Sequence, residues 1–86
     1  RAGRGLAEHA GARPTLYPNP TDGQVHVKLA GSQQMRVVLT DVSGRAVLHS
    51  VGQRELTLDL QSLPAGIYFA EVYHQGGVDR VKVIRE

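Results

Sequence analysis

The chain has 86 residues, enough for one domain with a single compact core, and a domain of this size buries only about 60% of the surface that its unfolded chain exposes. Its ten basic and eight acidic residues are interspersed and leave a net charge of +2, which argues against the clustered cations of a nucleic-acid-binding protein. Cysteine is absent, so no disulfide supports the fold, and no apolar run approaches the roughly 18 residues needed to span a bilayer.

The amino-terminal part differs in composition from the rest. Residues 1–13 are rich in Gly, Ala and Arg and contain no aromatic or β-branched side chain, so they can add little to a core. We expect residues 1–15 to form a flexible linker and residues 16–86 to form the folded domain.

From residue 15 onward, apolar side chains recur at every second position, which is the period of a half-buried β-strand. Because aromatic residues make up only 5% of the chain, the core should consist mainly of Val, Leu and Ile. The predicted inward-facing residues of three strands are Val25, Val27 and Leu29, then Met35, Val37 and Leu39, then Leu56, Leu58 and Leu60. About seven short strands separated by turn signals predict an all-β fold, an immunoglobulin-like antiparallel β-sandwich.

The domain opens with Tyr17-Pro18-Asn19-Pro20. Each proline ring fixes φ and removes an N–H, so this segment should be stiff and poor in hydrogen-bond donors. The chain then turns over residues 21–23, where Gly23 is expected to take a positive φ.

Two further turns have distinctive sequences. Asp41-Val42-Ser43-Gly44 predicts a hairpin, because an aspartate side chain accepts from backbone donors ahead of it and Gly44 tolerates a left-handed conformation. Leu63-Pro64-Ala65-Gly66-Ile67-Tyr68 has the order of a tyrosine corner, in which the Tyr68 hydroxyl bonds back to a backbone group upstream.

If Tyr68 points inward, Phe69 and Tyr73 lie on the opposite face of their strand together with Ile67. The two aromatic rings should then be partly exposed. The sequence leaves open whether they are ordinary surface cover or part of a binding patch.

Side chains that carry chemistry are scattered. The four histidines fall on different elements, the aspartates fall in turns or at outward positions, and no nucleophile lies in a recognised catalytic motif. We therefore expect no enzyme activity, no metal site and no cofactor.

Four motifs, in this order and spacing, resemble the type A C-terminal sorting domain of cargo proteins of the type IX secretion system of Gram-negative bacteria. The first is Tyr17-Pro18-Asn19-Pro20 with Gly23, and the second is the turn around Asp41 and Gly44. The third runs through Leu63, Pro64, Gly66 and Tyr68, and the fourth is the last strand with Lys82.

The resemblance implies a folded signal at the carboxyl end of a cargo protein, covering residues 16–86. Such cargo reaches the periplasm, crosses the outer membrane with the help of a translocon and a shuttle protein, and ends at the cell surface or in the medium. A cell-surface sortase typically removes the domain, which would place the cleavage region within or beside residues 1–15. Recognition should depend on backbone shape and strand edges, with Lys82 as the expected direct contact.

Two other functions remain open from the residues alone. An adhesive or carbohydrate-binding module would use exposed aromatic side chains, for which Phe69 and Tyr73 are the candidates. A structural domain would instead support an upstream enzyme. Open strand edges could also pair two copies into a homodimer.

Overall fold

The computed structural model describes residues 13–31 and 34–86, and in this part the chain forms seven β-strands. They are β1 Thr15–Tyr17, β2 Gln24–Lys28, β3 Gln34–Thr40, β4 Ala46–Gln53, β5 Glu55–Asp59, β6 Gly66–His74 and β7 Gly77–Arg85. Over the described ranges there is no helix of a length and apolarity that could cross a membrane. The predicted linker lies almost wholly outside the described residues.

The strands form two antiparallel sheets, which confirms the predicted β-sandwich. One sheet has the order β1-β2-β5 and the other the order β4-β3-β6-β7. A single residue pair, Gln53 with Glu55, links them where β4 passes into β5. Between these two residues Arg54 has a φ of 73°, so the chain turns sharply from one sheet into the other.

The core lies between the inner faces of the two sheets. Its buried apolar side chains are Val25, Val27, Leu29, Met35, Val37, Leu39, Leu56, Leu58, Leu60, Tyr68, Ala70, Val72 and Val83. The predicted inward faces of β2, β3 and β5 are therefore confirmed. The core consists mainly of Val and Leu, as expected, but isoleucine takes no part in it. Ile67, which was expected to face outward, and Ile84 are 42% and 37% exposed. They are cross-strand partners on β6 and β7, and both point away from the core.

The tyrosine corner is present. The Tyr68 side chain is buried, and its hydroxyl donates to the backbone carbonyl of Pro64 over 2.6 Å. This bond ties the beginning of β6 to the segment that brings the chain across from β5. Since a proline has no N–H, the carbonyl of Pro64 is its only backbone hydrogen-bonding group, and the tyrosine satisfies it.

We predict that Tyr68→Phe lowers the free energy of unfolding by about 1 kcal/mol, because the ring keeps its packing while the hydroxyl bond is lost. Urea unfolding of the purified chain measures the change. Tyr17→Phe is the matched control, since Tyr17 is 40% exposed and its hydroxyl lies 3.4 Å from Glu55 Oε2. Equal stability of the wild type and the Tyr68 variant would show that the hydroxyl bond of the corner does not stabilise the domain.

Candidate recognition surface

The segment that follows β1 leaves one sheet and joins the other. Strand β1 pairs with β2, whereas Thr21 forms a parallel bridge with Arg85 in β7. The Thr21 N–H donates to the carbonyl of Ile84 and the N–H of Glu86 donates to the carbonyl of Thr21, each over 2.8 Å. Both X–Pro bonds in this segment, before Pro18 and before Pro20, are cis.

Asn19 fixes this crossing through its side chain. Its Nδ2 donates to the backbone carbonyl of Lys82 over 2.7 Å, and its Oδ1 accepts from the backbone N–H of Ile84 over 3.0 Å. The carboxamide thus satisfies two backbone groups on the open edge of β7, as a residue of a neighbouring strand would. Pro18 and Pro20 flank it and are exposed, so the amide is the part of the Pro-Asn-Pro motif that contacts the sheet.

Thr21 is the buried polar residue of this region, and sequence reasoning missed it. Its hydroxyl donates to the carbonyl of Gln24 over 2.6 Å and accepts from the N–H of Gly23 over 3.0 Å. The side chain is 1% exposed, so these bonds satisfy a hydroxyl that water cannot reach. A threonine directly after proline and two residues before glycine is a signal for such a turn.

The expectation for Gly23 is wrong in its reason. Its φ is not among the positive values, and its constraint is space, because a Cβ built there would lie 2.9 Å from Cγ of Gln61. The carbonyl of Gly23 also accepts from the N–H of Leu60 over 2.7 Å. A larger residue at position 23 would therefore require the exposed side chain of Gln61 to move.

Asp41 organises the predicted hairpin between β3 and β4. Its Oδ1 accepts from the Ser43 hydroxyl over 2.6 Å and from the backbone N–H groups of Ser43 and Arg45 over 3.0 and 3.1 Å. Gly44 has the expected positive φ, 89°. The Ser43 hydroxyl bond, followed by the backbone bond from Arg45, lowers the pKa of the Asp41 carboxyl below its ordinary value of 3.8.

The third motif lies against this hairpin. A groove of about 300 Å³ separates the β3–β4 turn from the β5–β6 crossover, and its walls include Asp41, Arg45, Leu63, Pro64 and Tyr68. Leu63 is half-buried and packs against the core from the crossover side. The second and third motifs therefore share one surface although about twenty residues separate them in the sequence.

Arg85 joins the last strand to the same crossover, a role that sequence reasoning missed. Its Nε donates to the carbonyl of Leu60 over 3.1 Å, and its Nη2 donates to the carbonyl of Gln61 over 3.3 Å. Gly66 is the cross-strand partner of Arg85 at the first position of β6. The guanidinium thus satisfies two carbonyls of a segment that has left the sheet.

Parts of all four motifs therefore meet at one end of the sandwich, which we call the motif end. It comprises residues 18–23, 41–45, 60–68 and 84–86. Two of the predicted residues lie elsewhere. Tyr17 lies on the outer face of the three-stranded sheet, with its ring centroid 5.3 Å from that of His26. Lys82 extends from the outer face of the other sheet as the cross-strand partner of Phe69, and only its backbone meets the Pro-Asn-Pro segment.

The chain is thus a small immunoglobulin-like domain, and its distinctive sequence motifs fix the shape of the backbone at one end of the sandwich. A family model described as secretion system C-terminal sorting domain matches residues 15–86. The chain therefore belongs to this family, and it is a C-terminal signal domain of type IX secretion. No curated protein matches the chain. Membership implies contact with the secretion machinery and export to the cell surface or the medium.

We predict that Asn19→Ala lowers the free energy of unfolding by about 1–2 kcal/mol, since two hydrogen bonds to the edge of β7 are lost together. Urea unfolding measures the effect. Gln75→Ala is the control, because Gln75 is exposed in the turn at the opposite end of the sandwich. A loss no larger than that of the control would contradict the role assigned to the amide.

A second prediction concerns pH. Because the pKa of Asp41 is depressed in the folded state, its carboxylate stabilises the hairpin at pH values above 3.8, and this contribution is lost as the pH falls through the lowered value. Asp41→Asn should therefore be less stable than the wild type at neutral pH, and the difference should shrink on acidification below about pH 4. Urea unfolding of both proteins from about pH 7 down to pH 2 tests this. A difference independent of pH would contradict it.

Proposed function

We propose that residues 16–86 act as a folded, non-catalytic signal that directs an attached cargo protein from the periplasm across the outer membrane. The partners are the outer-membrane translocon, its shuttle protein and a cell-surface sortase. The sortase removes the domain by cleavage within or beside residues 1–15, and the cargo remains at the cell surface or is released.

The convergence of the four motifs at the motif end carries this proposal. Residues far apart in the sequence, such as Asn19 and Ile84 or Gly23 and Leu60, are joined there by hydrogen bonds to backbone groups. A signal carried by unrelated cargo proteins needs a surface of constant shape, and backbone hydrogen bonds give such a surface. We propose that Pro18, Pro20, Gly66 and Tyr68 contribute by maintaining it.

Lys82 has a different role in the proposal, as a direct contact. Its side chain is exposed, and the ion pairs of the described residues involve only Asp41 with Arg45 and His74 with Asp79. Its ammonium group is therefore available to a partner without breaking a bond inside the domain. The rival carbohydrate-binding function gains no comparable support, because arginines cover Phe69 and Tyr73.

The test is a fluorescent reporter with an export signal, fused to the full chain and expressed in a bacterium with a type IX system. We expect the reporter at the cell surface in the wild-type strain and in the periplasm of a strain without the translocon. Asn19→Ala should reduce delivery, because the segment after β1 loses its side-chain bonds to β7 and the shape of the motif end changes. Lys82→Gln should reduce delivery while leaving the free energy of unfolding within about 0.5 kcal/mol of the wild type.

Gln75→Ala provides the matched control, since its position at the far end of the sandwich is outside the motif end. Periplasmic retention of a stable wild-type fusion would contradict the proposal and favour a structural or adhesive domain. Delivery by the Lys82 variant at the wild-type level would contradict only the proposal that Lys82 contacts a partner directly.

A further inference from the structure

Positive charge is concentrated on one side of the sandwich. On the outer face of the four-stranded sheet, Arg36, Arg80 and Lys82 are exposed, and the acidic side chain among them is the half-buried Glu71. Glu71 is the cross-strand partner of Arg80, but it forms no ion pair within the described residues, and its Oε1 accepts from the hydroxyl of Tyr73 over 3.2 Å. We call this surface the basic outer face.

The outer face of the three-stranded sheet has the opposite character. Lys28 lies directly across from Glu55 there, and Asp59 adds a second carboxylate. His26 Nδ1 and the Thr57 hydroxyl are 3.0 Å apart and satisfy each other. The positive excess is therefore a property of one face and not of the whole domain.

Exposed apolar side chains gather on the basic outer face as well. Of the six large hydrophobic side chains that are most exposed in the described part of the chain, four lie there. They are Val51 at 65%, Val78 at 56%, Ile67 at 42% and Ile84 at 37% exposure. Apolar side chains gathered on one exposed face mark a candidate interaction site, and arginine is enriched at protein interfaces.

Two of the cations are held in place. The guanidinium of Arg36 stacks on the ring of Tyr73, with Cζ 4.5 Å from the ring centroid, and that of Arg80 stacks on Phe69 at 4.2 Å. Neither arginine forms an ion pair within the described residues. A stacked arginine loses less conformational entropy on binding and keeps its N–H groups free for a carboxylate.

We propose that the basic outer face docks a protein surface in which carboxylates lie between aliphatic side chains, on a component of the secretion machinery. The stacked arginines would bind the carboxylates, and the exposed valines and isoleucines would pack against the aliphatic groups. This inference rests on the proposed function and adds a second contact surface to the motif end.

Other occupants fit this face less well. A polysaccharide would stack on open aromatic rings, but guanidinium groups cover the rings of Phe69 and Tyr73. A second copy packed face to face would bring like charges together. Residues 1–12 carry two arginines and one glutamate, so they do not complement a basic surface.

The reporter fusion of the full chain measures delivery in cells. Binding of the purified full chain to the detergent-solubilised outer-membrane complex of the same system measures affinity. Arg36→Gln with Arg80→Gln removes both stacked charges. Arg36→Lys with Arg80→Lys keeps the charges, and Lys28→Gln with Arg54→Gln removes two charges elsewhere. We expect the first variant to bind about tenfold more weakly and to lose most of its salt dependence. The lysine variant should keep the salt dependence but bind more weakly than the wild type, because lysine lacks the planar fork that stacks and pairs with carboxylates. The variant with two charges removed elsewhere should stay within about twofold of the wild type.

A photo-crosslinking residue at position 78, compared with one at position 57 on the other sheet, identifies the occupant. Attachment of an acidic protein of the machinery at position 78 alone supports the proposal. Attachment of lipopolysaccharide or of a second copy overturns it. Normal delivery and unchanged binding of the Arg36→Gln, Arg80→Gln variant overturns it while the proposed function stands, whereas retention of the wild-type fusion in the periplasm overturns both.

Discussion

The link between the first and the last motif depends on one segment that belongs to both sheets. Strand β1 is hydrogen-bonded to β2 in one sheet, and four residues after its end Thr21 is bonded to β7 in the other. Besides this segment, the Gln53–Glu55 pair links the sheets along their backbones. The crossing therefore covers the edge of β7 from Lys82 to its end, which would otherwise be open.

The chemistry of the crossing explains the composition of the motif. Prolines donate no backbone hydrogen bond, so a Pro-Asn-Pro segment cannot pair with an edge strand through its own N–H groups at the proline positions. The carboxamide of Asn19 replaces that pairing with one donor and one acceptor on a side chain. Thr21 then resumes ordinary backbone pairing. The result is a defined shape at an edge that is not free to pair with another strand.

The two surfaces described above have different physical origins. The motif end is made mostly of backbone groups satisfied by a few side chains, such as Asp41, Tyr68 and Arg85. The basic outer face is made of side chains that point away from the core, among them both isoleucines of the chain. A signal that must be recognised in transit and then released can use one surface for shape and another for electrostatic attraction.

The strands, the inward faces of β2, β3 and β5, the hairpin at Asp41 and the corner at Tyr68 could all be predicted from the order of residues. These are local properties, because the alternation of side chains and the preferences of turns depend on neighbours only a few residues away. Three contacts could be seen only in the folded chain: Asn19 binds the edge of β7, Gly23 lies against the side chain of Gln61, and Arg85 bonds to the crossover. These contacts join residues 24 to 65 positions apart, and the period of a strand says which way a side chain points but not which strand lies beside it.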